Sequence, residues 1–314
     1  MKSTRVIEFP ALEGYPADYL VARLGGRRGL IVRNWEATLM AEKPLLPARY
    51  AEQGGGRPEE AVRKALKSEI RWVARQMDGG LREIFSRVFV YFELGTLFSC
   101  IRYRARSDSG KEVQDALESS LLSRALREAL VEAASQAEAM RAAEEAFSSA
   151  FGIHGKNAEG GEIIEAEQRL TDAFLSDSAA RARHPVIRGF FRTVVDMRNM
   201  VSVYKRLRWG IEAAPPVIEG GSARRSRFRG ISTEPALLSA IRRFTGLETD
   251  RPSEVENLFL KRLLAYSKEA ARNSGAVGSV LDYMLRCHVE ARNLGLIFAG
   301  GDLDREILRA EIVP

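Results

Sequence analysis

At 314 residues, 45% of them apolar and 29% charged, the chain has the length of two or three ordinary domains and the balance of a well-packed protein, which excludes disorder as its default state. Two cysteines, Cys100 and Cys287, and three histidines, His154, His184 and His288, fall into none of the close spacings that metal sites use, so a zinc or disulfide framework is excluded as the basis of the fold. The net charge of +6 admits nucleic acid, acidic lipid or an acidic protein as a partner and selects none of them.

The first ten residues are interrupted by Glu8 and Pro10 and are followed by no small-residue cleavage site, so no export signal is expected. Pro44, Pro47 and Pro58, with Gly54 to Gly56 between them, punctuate a first connection. The most hydrophobic stretch, Ile84 to Ile101, carries Arg87 and Glu93 inside a length that would barely cross a bilayer; it predicts a buried helix. Gly152 to Gly161 predicts a loop, His184-Pro185 opens a helix, Pro215-Pro216 closes a segment and Gly220-Gly221 marks a further break. Between these breaks apolar residues recur at three- and four-residue spacing and strict alternation is scarce, which predicts an all-α fold.

Three of the periodic stretches superpose without gaps when Glu93, Asp196 and Glu290 are aligned: Ile84 to Arg104, Ile187 to Leu207 and Leu281 to Gly301. Apolar residues then coincide at Ile84/Ile187/Leu281, Val88/Phe191/Leu285, Phe92/Val195/Val289, Leu97/Met200/Leu294 and Ile101/Tyr204/Phe298. Three positions after each acid stands a small polar residue, Thr96, Asn199 or Asn293, and the second and third copies also share Arg198 and Arg292. Any two amphipathic helices give apolar coincidence; acid, polar residue and spacing recurring together point to an internal repeat. Three related helical bundles are therefore expected, over residues 1–110, 111–215 and 216–314. Met284, Cys287, Ala291, Leu294 and Phe298 form a seam expected to face neighbouring helices. At i,i+3 spacing Glu290 and Asn293 are expected to share a hydrogen bond, as are Asp196 and Asn199. Arg286 and Arg192, four residues before each acid, offer a plain intrahelical ion pair.

Catalytic patterns are missing from the sequence. A phosphate-cradling loop needs G-x-x-x-x-G-K-[ST], whereas Gly155-Lys156 is followed by Asn157 and no glycine stands at the required distance. Carboxylates on three separate bundles are too far apart to flank one bond, and no G-x-S-x-G or H-E-x-x-H occurs. The expectation is a protein that is not an enzyme and has neither cofactor nor metal. Arg102, Arg104 and Arg106, and again Lys205, Arg206 and Arg208, fall where cations complement the carbonyls of their own helix ends. The run Arg224, Arg225, Arg227 and Arg229, with only Phe228 interleaved, reads as an exposed connection and a possible basic contact loop that lacks a paired stacking platform.

The segment from Tyr283 through Glu290, Arg292, Asn293, Leu294 and Gly300-Gly301 to Asp302, followed by Leu303 to Arg309, resembles the C-terminal signature of the C-type subunit of V/A-type ATPases, known as the d-type subunit in eukaryotic V-ATPases. Asp18 to Leu24 similarly resembles that family's Tyr-x-x-Ala-Arg opening. Gly295 stands where the family usually has Arg, Gly95-Thr96 replaces a basic-Asn pair, and Glu42 to Gly80 matches no recognisable motif. Gly95 and Gly295 suggest close helix contacts. The resemblance implies three bundles about a pseudo-threefold axis, arranged as a funnel. It also implies a non-catalytic, cytoplasmic central-stalk subunit, one copy per complex, peripheral to the membrane, that seats rotor shaft subunits of the D and F type on the proteolipid ring for ion transport. The alternative class is a basic, all-helical nucleic-acid-binding or adaptor protein, against which stands the lack of a helix combining a basic face with a recognition motif.

Overall fold

The computed structural model describes residues 6–11, 13–41, 46–51, 57–106, 109–153, 163–300 and 303–314. The expected breaks at Pro44, at Gly54 to Gly56 and over most of Gly152 to Gly161 lie outside these residues, as do His154, Gly301 and Asp302. Within them the chain is helical, with one isolated bridge between Ile7 and Leu122 and no named strand. The helices are α1 (Ala17–Arg28), α2 (Trp35–Met40), α3 (Ala48–Ala51), α4 (Pro58–Gln76) and α5 (Gly79–Tyr103). There follow α6 (Gly110–Leu117), α7 (Arg124–Glu132), α8 (Gln136–Phe151), α9 (Ile163–Arg181) and α10 (Pro185–Arg208). The last five are α11 (Arg225–Arg229), α12 (Glu234–Thr245), α13 (Val255–Asn273), α14 (Gly275–Ala299) and α15 (Arg305–Glu311). Short polar side chains satisfy otherwise orphaned first-turn N–H groups: Asn34 accepts from Ala37, Asp78 from Leu81, Ser123 from Leu126, Ser135 from Glu138 and Asp304 from Glu306. Gly152 and Gly246, at φ of 67° and 73°, end α8 and α12 in the left-handed conformation that L side chains avoid.

The chain divides into two compact units, each drawn from two separated stretches. The first comprises Met1–Gly14 and Arg71–Arg188. Its centre is α5, whose Phe85, Val88, Phe89, Leu97 and Ile101 are fully buried and which packs against α6, α8 and α9. By length and composition alone α5 could cross a bilayer; half of its most apolar window is buried, as the sequence predicts for a core helix. Phe147 and Phe174 join α8 to α9 edge to face at 5.6 Å. The N-terminal segment lies along residues 121–123, with Glu8 N–H donating to Leu121 O and Ser123 N–H to Val6 O, each at 2.9 Å.

The second unit comprises Tyr15–Ile70 and Gly189–Pro314. Here α13 and α14 fold back on each other so closely that a Cβ on Gly278 would stand 2.0 Å from the Ala270 carbonyl oxygen. The predicted seam of α14 is buried: Met284, Cys287, Ala291 and Leu294 are at most 8% exposed. Ala291, Leu294 and Ile297 meet Trp35, Leu39, Tyr50, Val62 and Leu308 in one core cluster, with Phe298 packed against it. A second cluster joins Met200 and Val203 of α10 to Phe228, Leu237, Ile241 and Phe259.

Candidate functional site

The three aligned acids occupy the middles of α5, α10 and α14, and all three are buried: Glu93 is 6% exposed, Asp196 3% and Glu290 1%. A buried carboxylate is costly unless every oxygen finds a donor. Each accepts from a backbone N–H and a hydroxyl, which for Glu93 and Asp196 arrive on one loop and for Glu290 come from two places, the segment after α1 and helix α3. Glu93 accepts from Leu121 N–H at 2.8 Å and from Ser120 Oγ at 2.7 Å. Asp196 accepts from the N–H and hydroxyl of Ser222. Glu290 accepts from Val32 N–H at 2.8 Å and Tyr50 OH at 2.6 Å, and pairs with Arg49.

Geometry here departs from the expected intrahelical pairs. Arg286 pairs at 3.0 Å with Asp282, one turn before it, rather than with Glu290, one turn after it. Asn293 and Asn199 do not share their neighbouring acid's bonds, because each amide instead clamps an extended segment. Asn199 donates to Ile218 O at 3.0 Å and accepts from Ile218 N–H at 2.7 Å; Asn293 does the same to Val313, at 2.6 and 3.2 Å. A side-chain amide thus substitutes for a strand edge, satisfying both backbone groups of a buried residue. Thr96 is half-buried at the matching place in α5. Arg292 reaches Asn257 Oδ1 at 2.7 Å and Glu311 O at 2.9 Å, while Arg198 is half-buried on α10. Burial lowers the Arg292 pKa from its usual value, partly offset by Glu311 and Glu256.

Sequence reading missed a second network around α14. Glu69 of α4 accepts from Tyr283 OH at 2.6 Å and pairs with Arg27 of α1. Asp282 pairs with Arg28 at 3.0 Å and accepts from Ser267 Oγ at 3.1 Å. No local signal in the sequence singles out Glu69. Burial pushes the Cys287 thiol up to about 12, with the Glu69 charge adding to it, and raises the Tyr283 and Tyr50 hydroxyls as well. Burial pushes His288 down to about 4. These groups are held in their neutral forms at neutral pH, the opposite of a site poised for proton transfer.

The basic clusters also differ from expectation. Arg104 donates to Leu130 and Val131 carbonyls, covering the end of α7 rather than of its own helix, and Arg102 pairs with Glu167. Arg206 donates to Ile231 O and Arg208 to Tyr204 OH. The run Arg224 to Arg229 is not a loop but a helical turn, α11, because Phe228 is fully buried and stacks on Phe244 at 5.4 Å, anchoring the segment. Arg224, Arg225, Arg227 and Arg229 are exposed, and Arg225 pairs with Glu219 at 2.7 Å. Gly95 and Gly295 have open space where a Cβ would stand, so no close contact explains them; backbones or side chains crowd Gly189, Gly221, Gly278 and Gly300 instead.

Among the described residues no three His, Cys, Asp or Glu side chains gather in a way that could hold a metal ion. A shallow groove between α6 and α7 is lined by Leu117, Val131 and charges of both signs, including Glu118 and Arg127. What the arrangement does is fasten distant segments to long helices. A family model described as ATP synthase (C/AC39) subunit matches residues 45–309. Among curated proteins none matches the chain.

Proposed function

The chain belongs to the ATP synthase (C/AC39) subunit family, and on that premise we propose that it is a non-catalytic central-stalk subunit of a V/A-type rotary ATPase, coupling the rotor shaft to the membrane proteolipid ring. The family match over residues 45–309 carries the reading. Torque transmission needs a stiff body and two interfaces rather than a reacting group. Three long helices, each with a buried acid fastening a distant loop, supply stiffness.

The partners in this proposal are shaft subunits of the D and F type and the ring, with one copy of the chain per complex, on the cytoplasmic face and peripheral to the membrane. Three bundles over residues 1–110, 111–215 and 216–314, set about a pseudo-threefold axis, belong to the same proposal. The recurrence of one anchoring chemistry at Glu93, Asp196 and Glu290 supports it. Affinity purification of the tagged chain from detergent-solubilised membranes tests the assignment: the catalytic-head, shaft and ring subunits are expected to copurify. Recovery of the chain without any ATPase subunit overturns it.

A further inference from the structure

Two basic clusters separated in sequence meet at one corner of the second unit. Arg206, in the last turns of α10, donates to the Ile231 carbonyl two residues beyond α11, at 2.5 Å. Phe228 and Ile231 share a core cluster with Met200 and Val203, against which Tyr204 and Leu207 pack. The exposed cations Lys205 and Arg208 of α10 and Arg227 and Arg229 of α11 are thus carried on two helix ends that this bond and this cluster bring together.

The end of α10 carries an unusual pair. Trp209 is 64% exposed and Ile211 46% exposed, although both are large and apolar. They are held firmly: Gly210 takes φ of 62°, and Ile211 N–H returns to Arg206 O while Gly210 N–H returns to Leu207 O, which closes the helix with a tight, bonded turn. Glu212 is the exposed acid beside the pair, and Glu219 is already engaged by Arg225.

We propose that this corner is a peripheral binding surface for anionic phospholipid, with the indole and Ile211 entering the headgroup layer and the four cations meeting phosphates. Tryptophan favours that layer, since its ring is apolar and its N–H is polar. Cations beside an apolar tip are attracted by the surface potential of acidic lipid. A stable protein interface needs an apolar core backed by some 20 residues a side, about 800 Å² per partner; two apolar side chains on a protruding corner fall short of that, whereas a deformable lipid layer needs only shallow entry. The proposal does not depend on the rotary assignment, because the isolated chain should show it.

The test is cosedimentation of the purified full chain with vesicles of phosphatidylcholine alone and of an equimolar mixture with phosphatidylglycerol. Binding is expected to the mixed vesicles only, and to weaken with salt. The variants Trp209→Ser/Ile211→Ser and Arg208→Glu/Arg227→Glu/Arg229→Glu should each weaken it at least about 10-fold, with unchanged helical melting. The control Lys111→Glu/Arg141→Glu/Arg169→Glu makes the same charge change in the first unit and should bind as the parent does. Equal loss in the control, equal binding to neutral vesicles, no binding at all, or saturable binding to polyuridylic acid in place of vesicles would each overturn the proposal.

Discussion

Asp196 fastens its loop at a cost to its own ionisation. Burial raises its pKa, and the hydroxyl and N–H of Ser222 and the N–H of Ala223 offset only part of that rise. A carboxyl whose folded pKa lies above its unfolded one binds its proton more tightly in the native state. Stability should therefore fall as pH rises from the ordinary value of 3.8 through the raised one, and then level off. Asp196→Asn keeps an oxygen acceptor and should flatten that part of the pH profile in urea unfolding; an unchanged slope would show that the acid is not desolvated. The neighbouring Gly221 leaves room for this anchor, since a Cβ there would stand 2.2 Å from Asp196 Oδ1. Gly221→Ala should cost about 1–3 kcal/mol by overpacking, and much less in an Asp196→Ala background, a coupling that a double-mutant cycle reads directly. The sequence reading assigned these acids partners one helical turn away. Periodicity reveals which residues share a helix face; which loop comes over that face is decided by tertiary structure, and nothing local in Glu290 points to Val32 or Tyr50.

Among elements, the α13–α14 pair is the most closely packed place that the glycines reveal. A Cβ on Gly278 would meet Ala270 O at 2.0 Å and Ala271 N at 2.6 Å, backbone atoms that cannot swing aside. Gly278→Ala should lower unfolding free energy by about 3 kcal/mol or more, whereas Gly295→Ala, with open space at its Cβ, should stabilise α14 by roughly 0.5–1 kcal/mol. Denaturant midpoints of the two variants should move in opposite directions. The long helices and the α14 seam were legible because a 3.6-residue period survives whatever the surroundings. The short helix α11 was not: five residues hold no usable period, and Gly, Ser and Arg around it read as a loop until Phe228 is seen to be buried. The two helical glycines were misread for a related reason, since composition cannot distinguish a close contact from an empty flank.

On the proposed coupling role, interfaces and stiffness matter more than any single exposed charge. Leu294 is fully buried in the cluster that joins α14 to α2, α4 and α15. Leu294→Ala should cost about 2–5 kcal/mol and loosen that joint. In membranes carrying this variant, ion pumping is expected to drop while ATP hydrolysis by the detached catalytic head continues. Loss of hydrolysis by the head itself, or full pumping despite a measured loss of stability, would contradict the coupling role.

The three acid anchors differ in one respect that bears on how the chain is made. Glu93 and Asp196 close loops of 26 to 28 residues, while the partners of Glu290 lie 240 and 258 residues before it. Closing the longest of these costs about 2 kcal/mol more in chain entropy than closing the shortest, a modest thermodynamic difference but a large one in order of events. During synthesis the first unit can fasten its anchor soon after residue 121 leaves the ribosome. The stretch Tyr15–Ile70 must instead wait, with Trp35, Leu39 and Val62 uncovered, until α14 has emerged. That waiting interval is the nascent chain's exposure to aggregation, and it makes residues 15–70 the segment that a holding chaperone would be needed to shield.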